Sequence, residues 1–141
     1  MEGPDSKSET RKNVVICDDQ IHLLRAAEFQ FNRAGLDVRL ASDGAAAWHL
    51  IQQAVPDLLI CDYQMPGMSG LDLLQRVRNE PGLEDLPIIM ITAKCFEISR
   101  EELCELYGLS CILFKPFSPR DLLRRTEELL WAQPTANAVG D

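Results

Sequence analysis

The sequence is short of several things, and each shortage narrows what it can be. No apolar run approaches the roughly 20 residues a membrane-crossing helix needs, so no membrane span is expected. The first residues, Met1 to Lys12, are polar and lack the apolar core of a secretion signal, so the expected location is the cytoplasm. Basic residues are outnumbered, 14 against 22 acidic ones, for a net charge of −8. That balance disfavours binding through nucleic-acid phosphates and suits a protein that holds a cation. The five cysteines (Cys17, Cys61, Cys95, Cys104 and Cys111) are odd in number and never spaced C-x-x-C. A zinc site or a disulfide framework is therefore not expected. Cys17, Cys61 and Cys111 lie in apolar runs, where a free thiol acts as a small hydrophobe. There is no internal repeat and no low-complexity segment, and 141 residues suffice for one domain.

What is present is an alternation. Apolar runs of strand length recur at Asn13–Cys17, Leu36–Ala41, Leu58–Cys61, Leu86–Ile91 and Cys111–Phe114. Between them lie stretches of helical periodicity. The first carries Leu23, Ala27, Phe31 and Ala34 on one face and closes at Gly35. The second starts at Ser42-Asp43-Gly44 and carries Ala47, Leu50, Ile51 and Ala54. The third opens at Ser69, with Asp72 three residues on as in a capping box, and turns Leu71, Leu74 and Val77 inward. The fourth spans Phe96 to Tyr107. The fifth opens at Ser118-Pro119 and carries Leu122, Thr126, Leu129 and Leu130. Five strand–helix units imply an α/β fold, a parallel sheet with helices on both faces. Residues 1–12 read as a disordered tail, 13–131 as the domain and 132–141 as a second polar tail.

The ends of the strands carry the chemistry. The first ends at Asp18-Asp19, the third at Asp62, the fourth at Thr92 and the fifth at Lys115. Each alone reads as a cap, a turn or a snorkelling lysine. Parallel strands bring them to one edge, where open α/β sheets place their ligands. Three carboxylates in one pocket repel, and a hard divalent cation such as Mg²⁺ relieves that while keeping sites for water and phosphate. Lys115 and Thr92 add a cation and a hydroxyl donor. Asp62, alone at the end of the central strand, is the candidate nucleophile for an aspartyl phosphate, with Asp18 and Asp19 on the metal.

Four motifs together resemble the receiver domain of two-component response regulators over about Asn13 to Trp131. They are Asp18-Asp19, Asp62 followed by Met65-Pro66-Gly67-Met68-Ser69-Gly70, Ile91-Thr92-Ala93, and Lys115-Pro116-Phe117. The resemblance implies a flavodoxin-like, doubly wound five-stranded sheet of order 2-1-3-4-5 with five helices. It implies phosphorylation of Asp62 by a sensor histidine kinase or a histidine phosphotransfer protein. It assigns Mg²⁺ to Asp18 or Asp19, Asp62 and the backbone carbonyl of Gln64, and the phosphate oxygens to Thr92 and Lys115. It implies a cis bond before Pro116, and it gives Gln64 and Lys94 a part in tuning phosphate hydrolysis. On this reading the domain catalyses its own phosphorylation and dephosphorylation but is not a dedicated turnover enzyme.

One position departs from the family. Where an aromatic switch residue usually stands, three residues before the lysine, this chain has Ile112. That bears on signal relay rather than on phosphorylation, and Phe114 shares its face by strand parity. A pseudo-receiver that binds partners without cycling phosphate is the competing reading. A haloacid-dehalogenase-like phosphohydrolase needs a second aspartate two residues after the nucleophile, where this chain has Gln64. His22 lies near Asp19 and could touch the acidic pocket, whereas His49 reads as solvated. Trp48 and Trp131 read as packing or surface residues. The downstream target is not legible from these residues.

Overall fold

The computed structural model describes residues 11–65, 67–93 and 100–131. The strands are β1 (Asn13–Cys17), β2 (Asp37–Ala41), β3 (Leu58–Asp62), β4 (Ile88–Thr92) and β5 (Cys111–Phe114). The helices are α1 (Ile21–Arg33), α2 (Gly44–Gln53), α3 (Gly70–Asn79), α4 (Arg100–Tyr107) and α5 (Pro119–Leu130). The strands form one parallel sheet in the order β2-β1-β3-β4-β5, the flavodoxin-like arrangement. Cys17 pairs with Cys61, Asp62 with Ile91, and Thr92 with Phe114, so successive strands finish nearly level.

The two central strands, β3 and β4, are buried at every residue. Their continuous apolar runs have no polar face because both faces are covered. Alternate residues feed two cores. Val15, Cys17, Leu59, Cys61, Ile88 and Met90 pack under Ala47 and Ile51 of α2, Leu73, Leu74 and Val77 of α3, and Leu103 of α4. Val14, Ile16, Leu58, Ile60, Ile89 and Ile91 pack under Leu24, Ala27 and Phe31 of α1 and Leu122 of α5. Each large side chain buried in this way contributes about 1.5–3 kcal/mol.

Helix starts follow the local chemistry. Asp43 caps α2 by accepting from the Ala46 N–H at 2.8 Å. Ser69 and Asp72 form the full capping box on α3, both bonds at 3.2 Å. Ser118 accepts from the Asp121 N–H at 3.1 Å with Pro119 in the first turn of α5.

Several expected details shift by a residue or two. Leu24, not Leu23, is the fully buried leucine of α1, and Ala34 is an exposed C-cap with Gly35 just past it at φ 88°. On α3 Leu73 is buried and Leu71 only half-buried, while on α2 Leu50 is half-buried and Ala54 exposed. In each case several adjacent apolar residues share the helix flank, and the packing of helix on sheet selects among them. β2 begins at Asp37 and β4 at Ile88, each a little later than the apolar run. Leu129 and Leu130 are half-buried against the second core. The expected start of the fourth helix at Phe96 lies outside the described residues.

Candidate functional site

All five strands point the same way, so their carboxyl ends share one edge. Asp18 follows β1 and is held there by its N–H, which donates to the Ala41 carbonyl at 3.1 Å. Asp62 is the last residue of β3 and Thr92 the last of β4. Asp18, Asp62 and Thr92 are buried, while Asp19 is exposed. One carboxylate oxygen from each of Asp18, Asp19 and Asp62 lies within 4.8 Å of the others.

Lys115 reaches this cluster from the end of β5. Its Nζ is 3.2 Å from Asp18 Oδ2 and 3.4 Å from Asp62 Oδ2, and it donates to Gln20 Oε1 at 2.9 Å. The Lys115 N–H donates to the Thr92 carbonyl at 2.8 Å, and the Lys115–Pro116 bond is cis, as the resemblance implied. Asp19, Gln20, Asp62, Gln64, Thr92, Ala93 and Lys115 line a cleft of about 220 Å³.

The loop after β3 is locked by close packing. A Cβ on Gly70 would overlap the Asp62 carbonyl oxygen, and the Gly70 N–H donates to the Tyr63 carbonyl at 3.0 Å. A Cβ on Gly44 would stand 2.8 Å from the Met68 carbonyl oxygen. These contacts fix the loop that carries Gln64, whose N–H donates weakly to Asp62 Oδ1 at 3.4 Å.

The electrostatics are unbalanced. Burial pushes the Asp62 carboxyl above its ordinary pKa and the Asp18 charge adds to that, while Lys115 and the Gln64 N–H pull the other way. Asp18 Oδ1 accepts from the Gln20 N–H at 2.8 Å, yet Asp18 Oδ2 is buried without a hydrogen bond. The lysine beside it is within ion-pair distance but not aligned to donate. A buried carboxylate oxygen in that condition is costly. An all-oxygen donor set with one such atom fits a hard cation.

Of the residues singled out from sequence, the structure brings Asp18, Asp19, Asp62, Thr92 and Lys115 to one place, with Gln64 at its rim. Lys94 lies outside the described residues. His22 is exposed and does not line the cleft, and His49 is exposed beside Gln53 at 3.1 Å. Trp48 is half-buried with the Arg76 guanidinium 5.8 Å from its ring, and Trp131 is exposed. A larger surface cleft of about 640 Å³ between α2 and α3 includes none of the strand-end residues. Gln20 was not anticipated: in sequence it is only the residue after the aspartate pair.

The sequence matches the model of the response regulator receiver domain over residues 14–127. The chain belongs to that family. Solved receiver structures agree. A protein assigned as a response regulator in Chloroflexus aurantiacus J-10-fl is 36% identical, with TM-score 0.76, covering 86% of this chain and 98% of that one. The chemotaxis response regulator CheY4 of Vibrio cholerae is 30% identical, with TM-score 0.77, covering 85% and 99%. A CheY-like receiver domain protein of Methanospirillum hungatei JF-1 is 25% identical, with TM-score 0.76, covering 86% and 94%. In this receiver domain no helix of the described residues is long and apolar enough to cross a membrane.

Proposed function

We propose that this receiver domain accepts a phosphoryl group on Asp62 from the phosphohistidine of a sensor histidine kinase or a histidine phosphotransfer protein, in the cytoplasm, and thereby changes what it binds. The observation that carries the reading is a buried carboxylate, Asp62, sharing one cleft with Asp19, Thr92 and Lys115 while Asp18 stands behind it. In the transfer, an Asp62 carboxylate oxygen attacks phosphorus. A P–O bond forms, the P–N bond of the donor breaks, and the imidazole leaves with the electron pair. The Lys115 ammonium and the Thr92 hydroxyl take the phosphoryl oxygens, and Lys115 leaves Asp62 to do so.

The family generally binds Mg²⁺. Asp18, Asp19, Asp62 and the backbone carbonyl of Gln64 would hold it here. When bound, the ion supplies charge neutralisation for a transfer that depends mainly on positioning. Gln64, exposed at the rim, and Lys94 are the positions that would tune hydrolysis of the acyl phosphate.

Acetyl phosphate with Mg²⁺ tests the reading. Intact-mass spectrometry should show a single phosphate adduct on the wild type and none on Asp62→Asn. An undiminished adduct on that variant removes Asp62 from the role.

A further inference from the structure

Resting on the phospho-acceptor reading, we propose that Gln20 is a positioning residue for Lys115. Gln20 is the N-cap of α1, yet its side chain makes no capping bond. Its amide oxygen instead accepts from Lys115 at 2.9 Å. Among the described residues that is the shortest contact of the ammonium, against 3.2 Å to Asp18 and 3.4 Å to Asp62. Coulomb attraction alone would draw the lysine onto the carboxylates. The neutral amide holds it back. The Gln20 N–H donates to Asp18 Oδ1 at 2.8 Å, so one residue fixes both the lysine and the buried aspartate behind it.

The consequence falls on the nucleophile. An ammonium drawn closely onto Asp62 lowers the nucleophilicity of its carboxylate, and in the transfer the ammonium must pass to a phosphoryl oxygen. A lysine detained by Gln20 stays next to the cleft without closing tightly on Asp62. Without that acceptor, the two carboxylates are the ammonium's remaining partners among the described residues. It then tightens on Asp62 and slows the attack. Gln20 itself also lines the cleft.

Gln20→Leu removes the acceptor and leaves an apolar side chain one bond shorter. Because the side chain makes no cap bond, α1 should melt as in the wild type. Phosphorylation by saturating acetyl phosphate should slow roughly three- to tenfold, the range of one partly exposed hydrogen bond to a charge, with the half-saturating donor concentration unchanged. The Lys115 side-chain NMR signal, recorded without Mg²⁺ or donor, should shift in Gln20→Leu, which has no oxygen to hold the ammonium. A wild-type rate in Gln20→Leu, or a Lys115 signal that does not move, overturns the proposal. If the wild type itself takes no phosphate, the acceptor reading fails instead, and the NMR shift still reports on the contact.

Discussion

Two cations in this domain sit in opposite surroundings. Arg78, at the end of α3, donates to four backbone carbonyls: Tyr107 at 2.8 Å, Leu83 at 2.9 Å, Leu86 at 2.8 Å and Gly108 at 3.0 Å. It ties the end of α4 to the loop between α3 and β4. Burial lowers its pKa and Asp85 pushes back, but a guanidinium stays charged. Lys115 instead faces two carboxylates and one amide, at 2.9 to 3.4 Å. Arg78 has short bonds to acceptors that never titrate or leave. Lys115 has one comparably short bond, to the Gln20 amide, but its carboxylate contacts are longer, 3.2 and 3.4 Å, and those two groups can change their charge. A cation held by acceptors of fixed charge fixes structure, and one held by groups whose charge can change can exchange partners.

Removing the two cations should separate those roles. Arg78→Ala strands several inward carbonyls and should cost about 3 kcal/mol, read as a lower urea midpoint with an unchanged slope. The loss should be the same at pH 5 and pH 7, because carbonyls do not titrate. Lys115→Ala should cost about 2 kcal/mol at neutral pH, because it leaves Asp18 and Asp62 uncompensated. That cost should shrink on acidification or on adding Mg²⁺, either of which replaces the missing positive charge. A pH-independent loss for Lys115→Ala would remove the distinction.

The imbalance should also appear in the wild type, as a smaller effect. The Asp62 carboxyl is raised, by burial first and by Asp18 second. A raised carboxyl means the fold prefers its protonated form. The stability this gives is fully present below the unfolded pKa, near ~4, and is lost as pH rises through the folded value. Asp62→Asn is neutral throughout. Its stability advantage over the wild type should therefore be largest near neutrality and close as pH falls through the Asp62 range. Paired urea titrations across pH check this, and a gap that widens in acid contradicts it.

Legibility from sequence followed the physics of each element. Asp18, Asp62, Thr92 and Lys115 were readable because uninterrupted apolar strands end on them and parallel pairing puts those ends together. The caps at Ser69 and Ser118 were readable because they act within one turn, whereas Ser42-Asp43-Gly44 marked a helix start without singling out Asp43. Leu23 against Leu24 was not, since the docking angle of a helix on the sheet is a tertiary property. Arg78 and Gln20 were invisible for a related reason. Arg78 bonds backbone up to 30 residues away and Gln20 a lysine 95 residues away, and neither leaves a spacing signal.

Ile112 is where the smallest response is expected. It is buried at 2% exposure in the core beneath α2, α3 and α4, paired with Met90. An aromatic switch works because a ring has an inward and an outward packed position that differ in energy. A β-branched side chain in a strand has a stiff χ1 and no ring to swing, so its contacts differ little between states. A phosphoryl group can shift an equilibrium only by its differential interaction with the two states. Phosphorylation should therefore alter the neighbourhood of Asp62, Thr92 and Lys115, while the face of α4, β5 and α5 changes its protection by less than ~0.5 kcal/mol. Amide exchange with and without beryllofluoride measures both. Large changes along Glu101–Tyr107 and Leu122–Leu130 would sink the idea. Phe114 would then be the residue to replace first: it stands opposite Thr92 in register, shares the Ile112 face by parity, and at 43% exposure is not locked in the core.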